Sequence, residues 1–333
     1  MHSLIGLKAA LLSALSIAAY SASALSPLDA SETKTSQSSI AAKTCAGRLA
    51  GAALEFDLII KADGEREVPV TLFTPSEPGT YPLVAFSHGA FASPTRYRAM
   101  LQPLAAAGFI VVAPMHIDSE EFPRDAGKPD RPPHPITWKT RNEDMALALD
   151  PPEDMLERLG RYNLKPDPER VIALGHSYGA LIAQLTGGAL AFEPDGSQID
   201  RTNPHVDSVV GWSPPGPMAG FMAEAGWNTL STPSLTITGT ADILPGFVDD
   251  WQAHRAAHDN APEGARALWV GDGIDHYFGG MFGREKPPSP SDKALFERAL
   301  ATSLNFMDRT TGASEPCNLG PARDGETYEE DSS

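Results

Sequence analysis

Gly175-His176-Ser177-Tyr178-Gly179 is the segment of this chain with the clearest chemistry. A serine between two glycines, after the apolar run Val171 to Leu174 and before a helical stretch, predicts a sharp strand-to-helix turn that holds the Ser177 hydroxyl clear of the backbone. A serine hydroxyl is a weak nucleophile at neutral pH, so it needs a base, and the base needs an acid to orient it. Nine histidines compete for the first role. His2 lies at the extreme N-terminus, and the His176 side chain should be directed away from Ser177. His254 and His258 fall one turn apart on an expected helix, a spacing that could serve a metal but more often marks a solvated face. His88 and His116 end strands and stay in contention. His276, in the loop GDGIDHYFGG, is the best placed, because it follows Ser177 and an acid in the order that this kind of turn calls for.

For the acid, Asp242 stands just past the apolar run SLTITG, where its carboxylate can take the Nδ1 proton of His276. Asp207, Asp249, Asp272 and Asp275 are its rivals. Asp207 begins a strand instead of ending one, and Asp272 and Asp275 are too close in sequence to approach His276 from behind.

These residues need a scaffold that gathers strand ends. A hairpin is expected first, Leu54 to Lys61, a turn at Asp63-Gly64, then Val68 to Phe73. Further strands are expected at 83–87, 109–114, 171–175, 206–212, 234–238 and 267–270, with helices at 96–107, 139–149, 178–190, 247–258 and 291–307. Strands separated by helices predict an α/β fold with a mostly parallel central sheet covered on both faces. The proline-rich stretch from Asp118 to Pro135 follows a strand and would lie at the carboxyl edge of that sheet, where such folds bind ligands.

GHSYG, then GTADILP, then DHYFGG, with Ser87-His88-Gly89-Ala90 after an earlier strand, resemble the α/β-hydrolase superfamily. Within it the set is similar to dienelactone hydrolase and platelet-activating-factor acetylhydrolase-like esterases. The resemblance spans the hairpin to the final helix and implies an α/β-hydrolase fold and a serine ester hydrolase. It also implies that backbone N–H groups of Ala90 and Tyr178 donate to the oxyanion, with Phe91 as a substitute for Ala90. Ala180 stands where many relatives have glycine, and serine stands where true dienelactone hydrolases carry cysteine, which argues against lactone chemistry. No metal or organic cofactor is called for.

The 333 residues carry 43 acidic against 26 basic side chains, a net charge of −17, and 41% are hydrophobic. That supports a sizeable core and disfavours nucleic acid or anionic membranes as partners. Lys8, the apolar stretch Ala9 to Ala19 and Ala22-Ser23-Ala24 form an export signal over 1–24, too short for a comfortable membrane span. A flexible leader over 25–46, a catalytic domain over 47–311 and an acidic, disordered tail over 312–333 follow. The protein is therefore expected to be secreted or periplasmic. In an oxidising compartment Cys45 can pair with Cys317, closing a long loop worth up to about 5 kcal/mol.

Trp212, at the end of the run VVGW, should sit near the mouth of the site, with Phe91, Met218, Phe221, Trp138 and Phe278 as further apolar candidates for its walls. The expected substrate is a small-molecule or lipid-like ester, with phospholipid acyl-hydrolysis or polyester hydrolysis as alternatives. Outside catalysis, the remaining reading is a silent binding module on a hydrolase scaffold.

Overall fold

Short runs of β-branched and apolar residues recur along the chain, and each becomes a strand. The computed structural model describes residues 44–62, 66–123, 134–193, 195–218, 221–283 and 287–331. The expected export signal, the leader before residue 44, the turn at Asp63-Gly64 and residues 124–133 of the proline-rich stretch lie outside the described residues.

Nine strands form one sheet. They are β1 (Ala53–Ala62), β2 (Arg66–Pro75), β3 (Gly79–Ser87), β4 (Ile110–Pro114), β5 (Leu164–His176), β6 (Ser208–Trp212), β7 (Ser234–Ala241), β8 (Arg266–Asp275) and β9 (Glu326–Glu330). Their order across the sheet is β1-β2-β4-β3-β5-β6-β7-β8-β9. The six strands from β4 to β8 are mutually parallel. The β1–β2 hairpin is antiparallel and joins β4 antiparallel at one edge, and β9 closes the other edge antiparallel to β8.

Alternate residues of each strand face opposite layers. Leu83, Ala85, Val171 and Ala173 pack on one side with Trp138, Met145, Leu181 and Leu185 from α3 (His134–Leu149) and α5 (Tyr178–Thr186). Val84, Phe86, Ile172 and Leu174 pack on the other with Met100 and Leu104 from α2 (Arg98–Ala106) and Phe296 and Leu300 from α7 (Pro290–Thr311). This is an α/β-hydrolase sheet with helices on both faces. Helix α7 shows why the chain turns where it does. Ser289 accepts from the Asp292 N–H while Asp292 accepts from the Ser289 N–H, Pro290 starts the helix, and Gly312 ends it at φ 60°.

Two expectations are corrected here. The acidic C-terminus is not a loose tail: Glu326–Glu330 is strand β9, and its charges are matched. Glu326 pairs with Arg298 of α7 at 2.8 Å and accepts from the Trp269 indole, and Glu330 pairs with Arg309. The helix expected over 247–258 is instead a 3-10 turn, Trp251–Arg255, and the single α turn α6 (Ala256–Asn260). An amphipathic helix not foreseen, α4 (Glu153–Gly160), buries Met155 and Leu159. Cys45, in the short helix α1 (Cys45–Leu49), is disulfide-bonded to Cys317, 272 residues away. Among the described residues, no helix is long and apolar enough to cross a membrane.

One consequence of parallel pairing decides where the chemistry sits. His88, Ser177, Asp242 and His276 each follow the last residue of a parallel strand, so all four gather at one edge of the sheet.

Candidate active site

Ser177 follows β5 at φ 54° and ψ −124°, a conformation costly for any residue with a Cβ. The two flanking glycines make the turn sterically feasible. A Cβ on Gly175 would lie 2.2 Å from the Gly179 carbonyl oxygen, and one on Gly179 would lie 2.0 Å from that of Ser87. The Ser177 N–H donates to the Trp212 carbonyl at 2.8 Å, tying the turn to the end of β6.

The Ser177 Oγ–H faces His276 Nε2 at 2.9 Å, and His276 Nδ1–H faces Asp242 Oδ1 at 2.7 Å. Thr238 donates to Asp242 Oδ2 at 2.8 Å. The Asp242 carboxylate is buried, which opposes ionisation, but hydrogen bonds from His254 and His276 hold it well below the usual carboxylate range. Each rival acid is engaged elsewhere: Asp207 accepts from the Val171 N–H, Asp249 from Gly246, Asp272 from Thr240, and Asp275 from Tyr277 and Gly279.

Ser177 and His276 open into a cavity of about 640 Å³ whose lining includes Ala90, Tyr178, Phe91, Met218, Leu244, Phe247, Tyr277 and Phe282. Ala90 and Tyr178, expected as oxyanion donors, therefore share the cavity with the serine. Phe91, expected as a substitute donor, gives its N–H to Asp118 Oδ2 at 3.2 Å; its side chain, 43% exposed, forms part of the wall.

Trp212 is a correction. Its indole is fully buried against Phe278, Phe282 and Phe296 on the α7 side of the sheet, because strand alternation turns the side chain away while the carbonyl faces the Ser177 turn. Trp138, Phe221 and Phe278 are core residues as well. Leu244, Phe247, Tyr277 and Phe282 take their place in the wall; they sit within a few residues of Asp242 and His276, a proximity signal that the sequence did offer.

The loops of the site are cross-linked by buried polar groups. Tyr97 Oη accepts the Gly89 N–H at 3.0 Å and donates to His176 Nδ1 at 2.9 Å, and His176 Nε2–H donates to the His276 carbonyl at 2.8 Å. The relay requires a neutral His176, and burial, with His276 close by, pushes that ring down to about 3. Arg141 is fully buried in α3. It forks onto Asp118 at 2.9 and 2.8 Å, donates to the His88 and Gly89 carbonyls at 2.6 and 3.2 Å, and stacks 4.5 Å from the Tyr178 ring. Burial resists ionisation of Asp118, but Arg141 draws the carboxyl far below its ordinary range. His88 props the same loop, donating through Nδ1 to the Gly89 carbonyl and accepting the His116 N–H.

Behind this loop lies a second hydrogen-bonded row. Ser87 Oγ is 2.8 Å from His116 Nε2, and His116 Nδ1 is 2.8 Å from Asp144 Oδ2. Arg66 completes it at 2.6 Å from Asp144 Oδ1. Nothing in the spacing of residues 87, 116 and 144 announces this arrangement.

His254 and His258, expected on a solvated face, are buried, with 1% and 8% exposure. His254 points at Asp242, so Asp242, His254 and His276 bring three potential metal-ligand atoms within 4.8 Å of one another. Both ring nitrogens lie at hydrogen-bonding distance from the same carboxylate oxygen, so the donors are already matched by proton sharing.

The family model described as Chlorophyllase matches residues 46–199. The matched region contains the hairpin, the 88–91 loop and the Ser177 turn, and ends before Asp242 and His276. No curated protein matches the chain. The sheet is that of an α/β-hydrolase fold, and this similarity is consistent with the α/β-hydrolase superfamily and points to a carboxylic ester hydrolase.

Proposed function

We propose that the protein hydrolyses carboxylic esters through an acyl-enzyme formed on Ser177. His276 Nε2 takes the Ser177 proton as Oγ bonds to the ester carbonyl carbon, and Asp242 fixes the tautomer and offsets the charge that appears on the ring. The carbonyl electrons move onto oxygen, where the Ala90 and Tyr178 N–H groups stabilise them. The alkoxide leaves with the proton held by His276. Water then gives a proton to His276 as it attacks the acyl carbon, and collapse releases the carboxylic acid and restores Ser177.

The observation that carries this reading is the continuous row from Ser177 Oγ through His276 to Asp242, at 2.9 and 2.7 Å, with its serine end at a cavity. The walls from Phe91, Met218, Leu244 and Phe247 suit an apolar acyl or alcohol group, which favours lipid-like esters over charged ones. Phospholipid and polyester remain the two substrate alternatives to compare. The disulfide fits a secreted or periplasmic protein, in keeping with the export signal read from the sequence.

Turnover of a short-chain chromogenic ester by the wild type, and its loss in Ser177→Ala, is the expected outcome. Equal turnover by the variant would contradict the assignment. A panel graded by chain length, with phospholipid and polyester included, ranks the substrate classes.

A further inference from the structure

His254 is a buried ionisable group in direct contact with the proposed machinery, and that mechanism gives it no part. Its ring lies between three oxygen acceptors. Nδ1 is 2.7 Å from the Pro214 carbonyl, and Nε2 is 2.9 Å from Asp242 Oδ1 and 3.1 Å from the Asp242 carbonyl. A carbonyl oxygen has no proton to give, so each ring nitrogen must carry its own. A neutral imidazole would leave one nitrogen lone pair facing an oxygen lone pair in a buried site, an arrangement penalised as an unsatisfied polar group.

We propose that His254 is a positioning residue that remains an imidazolium in the folded protein and fixes the Asp242 carboxylate toward His276. This rests on the proposed roles of Ser177, His276 and Asp242. The ionisable groups facing it are Asp242 at the end of β7, His276 after β8, with ring centroids 5.7 Å apart, and His176 from β5, which stands against His276. Burial disfavours the charged ring, but the hydrogen bond and attraction of Asp242 outweigh it and raise His254 from its ordinary value.

The charge has two consequences for the reaction. It anchors Asp242 Oδ1 and the Asp242 backbone together, so the carboxylate cannot rotate away from His276. It also sets a positive charge beside the proposed base, ring centroid to ring centroid 5.7 Å away. Replacing the cation with a neutral donor should therefore move the acid limb of the kcat/KM profile upward by about one pH unit. A merely structural role would lower activity without moving that limb.

Two measurements test this. The first is ¹⁵N NMR of the histidine rings in the wild type at pH 7.5, with His254 assigned by comparison with His254→Gln. Protons on both His254 nitrogens are expected, and a single protonated nitrogen overturns the proposal. Because this readout needs no turnover, a wild type inactive on every ester would contradict the proposed function separately. The second is the pH profile of folded His254→Gln, where the upward displacement of the acid limb is expected and an unmoved limb overturns the positioning role.

Discussion

Two rows of serine, histidine and aspartate lie in this molecule, and their hydrogen bonds are nearly the same length. Ser177, His276 and Asp242 are joined at 2.9 and 2.7 Å, and Ser87, His116 and Asp144 at 2.8 and 2.8 Å. Their surroundings differ. Ser177 stands on a strained turn at a cavity wall, whereas Ser87 ends a strand with no exposure and also receives the Arg141 guanidinium at 3.2 Å. A substrate carbonyl can reach the first oxygen and has no path to the second. Row geometry alone thus does not specify a nucleophile; access, strain and waiting N–H donors do. The sealed row, with Arg66 and Arg141, instead braces the loop that carries Ala90.

The sharpest way to separate the rows is to remove each serine. Ser177→Ala should lower kcat by about 10⁶-fold. Ser87→Ala should keep activity within about tenfold and show its cost in denaturant midpoint, about 1–3 kcal/mol. Asp242→Asn should lower kcat by about 10⁴-fold with the fold intact. Asp144→Asn should mainly destabilise, by about 3–5 kcal/mol, because Arg66 loses its buried partner. Arg141→Met joins the two regions: releasing the His88 and Gly89 carbonyls should cost about 10²-fold in kcat, alongside lower stability.

The smallest effect is on pH dependence. His176 is neutral in the folded protein, with its ring pushed down to about 3, while in the unfolded chain it takes a proton below about pH 6.5. Its contribution is complete above that value and is lost as pH falls toward 3, about 2 kcal/mol by pH 5. His88 and His116, lowered mainly by burial, act in the same direction. Asp144, raised by burial to about 6, acts oppositely, since the folded chain holds that proton more tightly between about pH 4 and 6. Unfolding midpoints of wild type and His176→Gln between pH 7 and pH 5 should therefore converge as pH falls.

Most strand positions, the Ser177 turn and the sequence order of Asp242 and His276 are legible because each is carried by local pattern: apolar runs, paired glycines, an acid or histidine just after a strand. The supporting groups are not, because their partners are remote. Tyr97 meets His176 across 79 residues and Arg141 meets His88 across 53, and no local spacing encodes those contacts. Trp212 misled because a strand end fixes where the backbone lies but not which layer receives the side chain. The acidic C-terminus reads as a disordered tail because its partners are remote in sequence, Arg298 and Arg309 of α7.

The most direct test of the central claim is labelling of the folded wild type with a fluorophosphonate, followed by peptide mapping. The account predicts one adduct, on Ser177, with Ser87 unmodified. Absence of any adduct, or an adduct on Ser87 or another serine in its place, would contradict it.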